Sequence, residues 1–234
     1  MDIPWFLSER LDFVRTHYDV CVAAFEERKR RIEAGEDPFD NPPYSEDGEP
    51  AFLEEWLDAQ TSIELIGLSC ISLLSDALKL YFNLLQHREI RFSFDEVETK
   101  RLKKEGFAPV YRDALGEIFD TDWQESGVNF AIIEQVVLAR NRGQHGTELT
   151  SFLLTHDDKT IEKHPHPFFL RADEAAALSD AGVEVGGLLN PTLAVEREQL
   201  FAAIDEVGRL SDWIGANMDR ALAWQLAQRA AKSG

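Results

Sequence analysis

The chain has 234 residues, of which 44% are hydrophobic and 29% charged, and this composition is typical of a soluble globular protein with one domain. Its 24 lysines and arginines stand against 43 aspartates and glutamates, so the formal net charge is −19. Such a charge repels nucleic-acid backbones at long range, which excludes a general DNA- or RNA-coating protein but leaves room for a local cationic site.

The cysteines and the N-terminus indicate in which cellular compartment the protein is expected. Cys21 and Cys70 are too few for a disulfide framework and have no metal-binding spacing, so we expect buried free thiols. The N-terminus lacks the basic and apolar regions of a signal peptide. We therefore expect a cytoplasmic protein.

Two long helices are predicted in the first third of the chain. Apolar residues recur at three- and four-residue steps from Trp5 to Ala34, and Gly35 then provides a stop. An acidic, proline-rich loop follows over 35–50. Residues 52–86 form a central helix with a wide apolar face, and polar residues interrupt its most apolar part. These interruptions favour a buried amphipathic helix over a membrane span.

The remaining elements are less regular. A polar connector is predicted over 88–106, a short helix over 109–119 and a longer one over 128–142. The period then changes, and 147–190 reads as a small β-containing insertion with strand-like runs at 151–154, 168–170 and 183–189. The last helical region, 191–234, is expected to begin at Pro191, with Asn190 as its cap. The predicted fold class is therefore mainly α, a single domain whose core helices and motif occupy 51–146.

The stretch LARNRGQHG, residues 138–146, combines an arginine, an amide and an imidazole at the end of a helix. Arg140 and His145 would also favour the negative end of a helix dipole, and Gly143 is a ready helix stop, so the pattern alone does not require catalysis. It does suit RNA cleavage without metal. The imidazole can move a proton near neutral pH, and the guanidinium can bind two phosphate oxygens at once.

The spacing limits how these side chains can meet. Asn141 and His145 are four residues apart and share a helix face, whereas Arg140 and His145 lie about 140° apart on a continuous helix. Either a break at Gly143 or a second copy of the motif across a two-fold axis would bring arginine and histidine together.

The six residues from Arg140 to His145 resemble the R-N-x-x-x-H form of the Rx4-6H signature of the HEPN superfamily. The resemblance implies a HEPN-like helical bundle in which Arg140 and His145 are catalytic and Asn141 is the companion of the arginine. It also implies a metal-independent endoribonuclease without a cofactor. Such an enzyme acts on RNA as a homodimer in a toxin–antitoxin or defence setting, with an antitoxin or other partner protein. Some toxins of the family carry a modified tyrosine two residues after the histidine, where this chain has Thr147.

Two other interpretations of the motif remain open. Some members of the family have lost catalysis, so the chain could be an inactive HEPN-type interaction or nucleotide-binding module. It could also be a generic helical protein in which the three residues occur by chance.

Two further clusters could carry chemistry. His156, His164 and His166 lie near acids, but the prolines around His166 favour a surface loop over a metal site. Four basic residues form the one strong cationic cluster, which we interpret as a solvated helix edge rather than an RNA contact. They are Lys100, Arg101, Lys103 and Lys104.

Overall fold

A computed structural model of the chain describes residues 2–42, 48–144, 152–181 and 190–233. Within these ranges it contains nine α-helices and no strand. The predicted mainly α class is therefore confirmed.

The first two helices form the longest pair in the bundle. Helix α1 spans Ile3–Ala34, and Gly35 ends it in the left-handed conformation, with φ 61°. Helix α2 spans Leu53–Leu84. Trp56 Nε1 donates a hydrogen bond of 2.8 Å to Glu33 Oε1, and Lys29 Nζ donates one of 2.6 Å to Gln60 Oε1. Since residues late in α1 meet residues early in α2, the two helices run antiparallel.

The middle of the chain is more helical than predicted. Helix α2 continues into a π-helical turn at Leu85–Glu89, hereafter the π turn. The expected polar connector contains a helix, α3 (Glu96–Glu105), whose start is capped by Asp95 and Glu98 in a capping box. Helix α4 follows at Phe107–Phe119. Apolar periodicity did not predict α3, because none of the residues of this helix is buried.

Helix α5 spans Phe130–Gln144, so the expectation that Gly143 ends it was wrong. Gly143 does not have a positive φ, and a Cβ atom there would make an ordinary contact of 3.6 Å with Leu68 of α2. The last turn of α5 lies against α2 and stays helical. Residues 145–151, including His145 and Thr147, lie outside the described residues.

The predicted β-containing insertion has no strand in its described part. It forms two short helices, α6 (Asp158–Lys163) and α7 (Ala172–Ala181). The β-type pairing there consists of isolated bridges, Thr155 with Thr192 and Leu170 with Leu193. Periodicity alone cannot assign short apolar runs of this kind to a strand or a helix. Here they supply single buried side chains to the core and do not form β-ladders. The expected strand at 183–189 lies outside the described residues.

The C-terminal region forms two helices, α8 (Arg197–Ala216) and α9 (Met218–Ser233). The first begins six residues later than predicted, because Glu196 is its N-cap, with its backbone N–H donating to Gln199 Oε1, and residues 192–193 make the bridges instead. The break between the two helices falls at Asn217.

The acidic loop keeps some order where it is described, at 35–42 and 48–50. Glu36 pairs with Arg30 at 2.7 Å, and Phe39 packs edge-on against Phe52. Most of the other described residues of the loop are exposed. Residues 43–47 lie outside the described residues.

The core surrounds α2, which packs against α1, α5 and α8. Ile71, Leu74, Leu78 and Phe82 of α2 are completely buried. By length and composition alone, Leu53–Glu89 could cross a membrane, but the core helix of a bundle passes the same test, and half of the apolar window is buried inside the fold.

One glycine shows how tightly α2 is held. A Cβ atom on Gly67 would lie 2.3 Å from the backbone carbonyl oxygen of Val195 and 3.1 Å from its Cβ. Because the obstructing atom is backbone, it cannot move aside like the end of a flexible side chain. The segment before α8 therefore approaches α2 closely only because residue 67 has no side chain.

We therefore expect Gly67→Ala to lower the free energy of unfolding by about 1–3 kcal/mol, the usual effect of overpacking. Gly215→Ala is the matched control, because a Cβ there meets nothing within 4 Å. The control should be neutral or stabilise the protein by up to about 1 kcal/mol. Urea denaturation measures both, and equal effects of the two substitutions would contradict the close approach.

Candidate functional site

The last turn of α5 places the motif at the edge of the bundle. Ile133, Val136 and Val137 are buried and face the core. Arg140 follows Val136 by four residues and Val137 by three, so its stem lies on the buried side while its head reaches the surface. Its side chain is 30% exposed, and Asn141 is exposed.

Arg140 and Asn141 line a cleft of about 500 Å³ between α5, α2 and the α3–α4 segment. This cleft, the Arg140 cleft, has one polar side and one apolar side. The polar side comes mainly from α2 and the π turn, with Asp76, Lys79, Asn83, Gln86 and His87. The apolar side comes mainly from α3, α4 and the segment before them, with Phe94, Leu102, Phe107 and Tyr111.

The guanidinium of Arg140 makes few and weak contacts with the described residues. Its Nη1 donates a hydrogen bond of 3.2 Å to Asn141 Oδ1, and its Nη2 lies 3.8 Å from Asp76 Oδ1. Its Nε is buried and has no hydrogen-bond partner among the described residues. Asp76 is itself 59% exposed, so solvent weakens this ion pair. Among the described residues, the Nη1 and Nη2 groups of Arg140 therefore keep N–H donors that can bind an anion.

The polar residues of α2 recur along one face of that helix. Asp76, Lys79, Asn83 and His87 are three or four residues apart, which is the spacing of neighbours on a helix surface. In the sequence these polar residues interrupt an apolar pattern, but nothing there connects them with the motif. Their spacing was the signal that marks a polar face on an otherwise buried helix.

The Tyr111 hydroxyl orients the amides at the base of the cleft. It lies 3.0 Å from Asn83 Oδ1 and within hydrogen-bond distance of Gln86 Oε1, and its single O–H can donate to one of these two amide oxygens at a time. Its ring stacks on Phe82 at 4.7 Å, and burial raises the pKa of Tyr111 to about 12. The hydroxyl therefore stays protonated and serves as a fixed hydrogen-bond partner.

The basic cluster of α3 adjoins the cleft through Leu102. Arg101 is neutralised by Glu105 at 3.0 Å and Asp113 at 2.7 Å. Lys103 and Lys104 are exposed and have no ion-pair partner among the described residues, and the same is true of Lys100. None of these three lysines lines the cleft, although their helix contributes Leu102 to it.

The histidine-rich segment is structural where it is described. His156 is buried, and its Nε2 lies 2.8 Å from the backbone carbonyl oxygen of Phe169, to which it donates. Burial lowers the pKa of His156, so the ring is neutral near pH 7. The described residues contain no group of three side chains suited to a metal ion. The expectation of a solvated loop was wrong for His156, whose partner is distant in sequence.

His164 belongs to a different network, on α5. Its Nε2 lies 3.5 Å from Glu134 Oε2, and Lys163 also pairs with this buried carboxylate. Burial raises the pKa of Glu134, but its contacts with His164 and Lys163 outweigh that effect and hold it below the usual value. The network ties α6 to α5 and lies outside the Arg140 cleft.

Comparison of the chain with models of protein families, with curated proteins and with solved structures gives no match.

The buried His156 predicts a specific dependence of stability on pH. Its pKa is lower in the folded protein than the value of about 6.5 expected in the unfolded chain, so only the unfolded state gains a proton as the pH first falls below 6.5. Stability from this group is full above that value and is lost towards the lower folded pKa. His156→Gln should reduce the loss of stability between pH 7 and pH 5, measured by urea denaturation. The exposed His166→Gln is the control, and an unchanged slope in His156→Gln would contradict the assignment.

Proposed function

We propose that the protein is a metal-independent endoribonuclease of the HEPN type, with Arg140, Asn141 and His145 at its catalytic site. The observation that supports the proposal most strongly is that the guanidinium of Arg140 makes few contacts with the described residues. Among the described residues, its guanidinium, which lies at a cleft, has one hydrogen bond, to Asn141, and a long contact to Asp76. In that state it can donate two parallel N–H bonds to a phosphodiester.

The proposed reaction is transesterification at a phosphodiester of RNA. His145 takes the proton of the ribose 2′-hydroxyl, the 2′-oxygen bonds to phosphorus, and the bond from phosphorus to the 5′-oxygen breaks. The leaving 5′-oxygen then takes up the proton that His145 removed, which gives a 2′,3′-cyclic phosphate and a 5′-hydroxyl end. Arg140 stabilises the charge that grows on the phosphorus oxygens. Side chains supply both the base and the positive charge, so the reaction needs no metal ion.

The proposed active form is a homodimer. Helix α5 remains helical through Gly143, so no break before Gln144 brings the histidine round to the arginine. A second copy of the motif, related by a two-fold axis, would supply the missing partner. The resemblance to HEPN toxins extends the proposal to a toxin or defence role, in which an antitoxin or other partner protein controls the activity.

A second candidate is an inactive HEPN-type module that binds a partner protein or a nucleotide. It is favoured by the carboxylate of Asp76, 3.8 Å from Arg140 Nη2, and by the net charge of −19. Both weaken the attraction between the cleft and an RNA backbone.

The central prediction concerns the motif. Arg140→Ala and His145→Ala should each lower the rate of cleavage of single-stranded RNA by about 10²-fold or more. Arg140→Lys should restore only part of it, because a point charge cannot bind two oxygens in parallel. Asn141→Ala should have a smaller effect. The measurement is cleavage of labelled RNA by the purified protein, with the end groups determined chemically.

Arg142→Ala is the matched control for these variants. Arg142 is also in the last turn of α5, but its Nε donates 2.7 Å to the backbone carbonyl oxygen of Thr155, and it does not line the cleft. It should keep the wild-type rate per folded molecule, and EDTA should not inhibit the wild type. Cleavage that needs a divalent ion, or that Arg142→Ala abolishes equally, would contradict the proposal. Binding without cleavage would favour the inactive module.

The dimer predicts complementation between two inactive variants. If the arginine and histidine of each site come from opposite protomers, a heterodimer of Arg140→Ala and His145→Ala contains one intact site. Refolding the two variants together should then recover about a quarter of the wild-type activity, because half of the dimers are mixed and each has one of two sites. No recovery from verified heterodimers, or a monomer in light scattering, would contradict the composite site.

A further inference from the structure

We infer that the far end of the Arg140 cleft is a binding subsite for a nucleobase of single-stranded RNA, close to the cleaved bond. This inference rests on the proposed function for its substrate. It differs from that proposal in its residues, because it depends on Phe94, Leu102, Phe107, Asn83 and Gln86 rather than on the motif.

The cleft is too long for a phosphate alone. Asp76 contacts Arg140, and Asn83 lies seven residues further along α2, about 10 Å along the helix axis at 1.5 Å per residue. His87 is about 6 Å beyond Asn83. A phosphate at the guanidinium therefore occupies one end of the cleft and leaves the other end for a neighbouring part of the substrate.

That other end has an apolar wall suited to a planar ring. Phe94 and Phe107 are half-buried and line it together with Leu102. Phe94 is held by edge-on contacts, at 5.5 Å from Phe92 and 5.1 Å from Tyr111. Stacking of bases on aromatic side chains is the usual means by which proteins hold unpaired RNA bases.

The same end presents amides that are already oriented. The Tyr111 hydroxyl contacts the side chains of both Asn83 and Gln86, and Gln86 is buried at 7% exposure. An amide carries a donor beside an acceptor, which is the pattern that pairs with the edge of a base. Because Tyr111 holds these groups in place, little conformational entropy is lost when a base binds.

A cation in the cleft suits the backbone that joins the base to the cleaved phosphate. Lys79 lines the cleft from α2 and lies between Asp76 and Asn83 along that helix. A base in a duplex keeps its edge paired and its faces stacked, so the subsite requires single-stranded RNA.

The test combines one protein variant with a scan of the substrate. In a short RNA with one cleavage site, each nucleotide near that site is replaced in turn by an abasic one. For the wild type, one position should lower the cleavage rate by about 5- to 100-fold, the usual effect of losing one stacked base. Phe94→Ala should cut the intact RNA more slowly than the wild type by a similar factor. In this variant, the abasic nucleotide at the sensitive position should cause almost no further decrease in the cleavage rate.

Phe92→Ala is the matched control. Phe92 packs against Phe94 and Tyr111 but does not line the cleft, so its loss has a similar effect on folding without removing the proposed wall. Because Tyr111 still packs edge-on against Phe94 in this variant, the position found in the abasic scan should remain sensitive. A scan without a sensitive position, or equal behaviour of the Phe92 and Phe94 variants, would overturn the inference.

A binding measurement separates failure of the inference from failure of the proposed function. The probe is a fluorescent single-stranded RNA with a 2′-O-methyl group at the cleavage position, compared with adenosine monophosphate. If no RNA is cut but binding of either probe still depends on Phe94 and not on Phe92, the base subsite is supported and the endoribonuclease proposal fails. If Phe94→Ala changes neither the cleavage nor the binding of RNA, the inferred subsite is wrong and the endoribonuclease proposal stands.

Discussion

The burial of α2 is the constraint on which the rest of the structure depends. This helix packs against α1, α5 and α8 at once, and its fully buried residues form the centre of the core. Gly67 lets the segment before α8 approach its backbone. A helix held on so many sides has one face left for solvent, and in its second half that face carries Asp76, Lys79 and Asn83.

The position of the Arg140 cleft follows from this packing. Helix α5 contacts α2 along its length, and its last turn brings Arg140 level with the polar face of α2. Helix α4 packs against α5 and reaches α2 through Tyr111, which stacks on Phe82 and contacts the amides of Asn83 and Gln86. The sides of the cleft that come from α2, α4 and α5 are therefore fixed by the core, which favours a preformed site over one assembled by binding.

Buried polar groups hold the surrounding segments to this frame. Glu134 on α5 is buried and paired with Lys163 and His164, and Gln135 accepts a hydrogen bond of 2.7 Å from the backbone N–H of Phe168. His156 makes its own buried bond to Phe169. A buried charge without a partner would cost several kcal/mol, so these pairings keep the region after the motif close to α5.

The sequence alone determined the mainly α class, the two long first helices, the stop at Gly35 and the presence of α4 and α5. Apolar periodicity marks these elements because their stripes face the core directly. Periodicity could not show α3, which buries no residue, or the π turn, which extends a helix already counted. It also suggested strands at 151–154 and 168–170, where the described residues instead supply single buried side chains to the core.

For the site, the sequence singled out Arg140, Asn141 and His145 because residue types and spacing carry chemical meaning within one helix. It could not show that Arg140 faces Asp76, 64 positions earlier, or that Tyr111 orients Asn83 and Gln86. Those contacts depend on how α2, α4 and α5 pack. Local spacing decides which residues share a helix face, but only tertiary packing decides which faces of different helices meet.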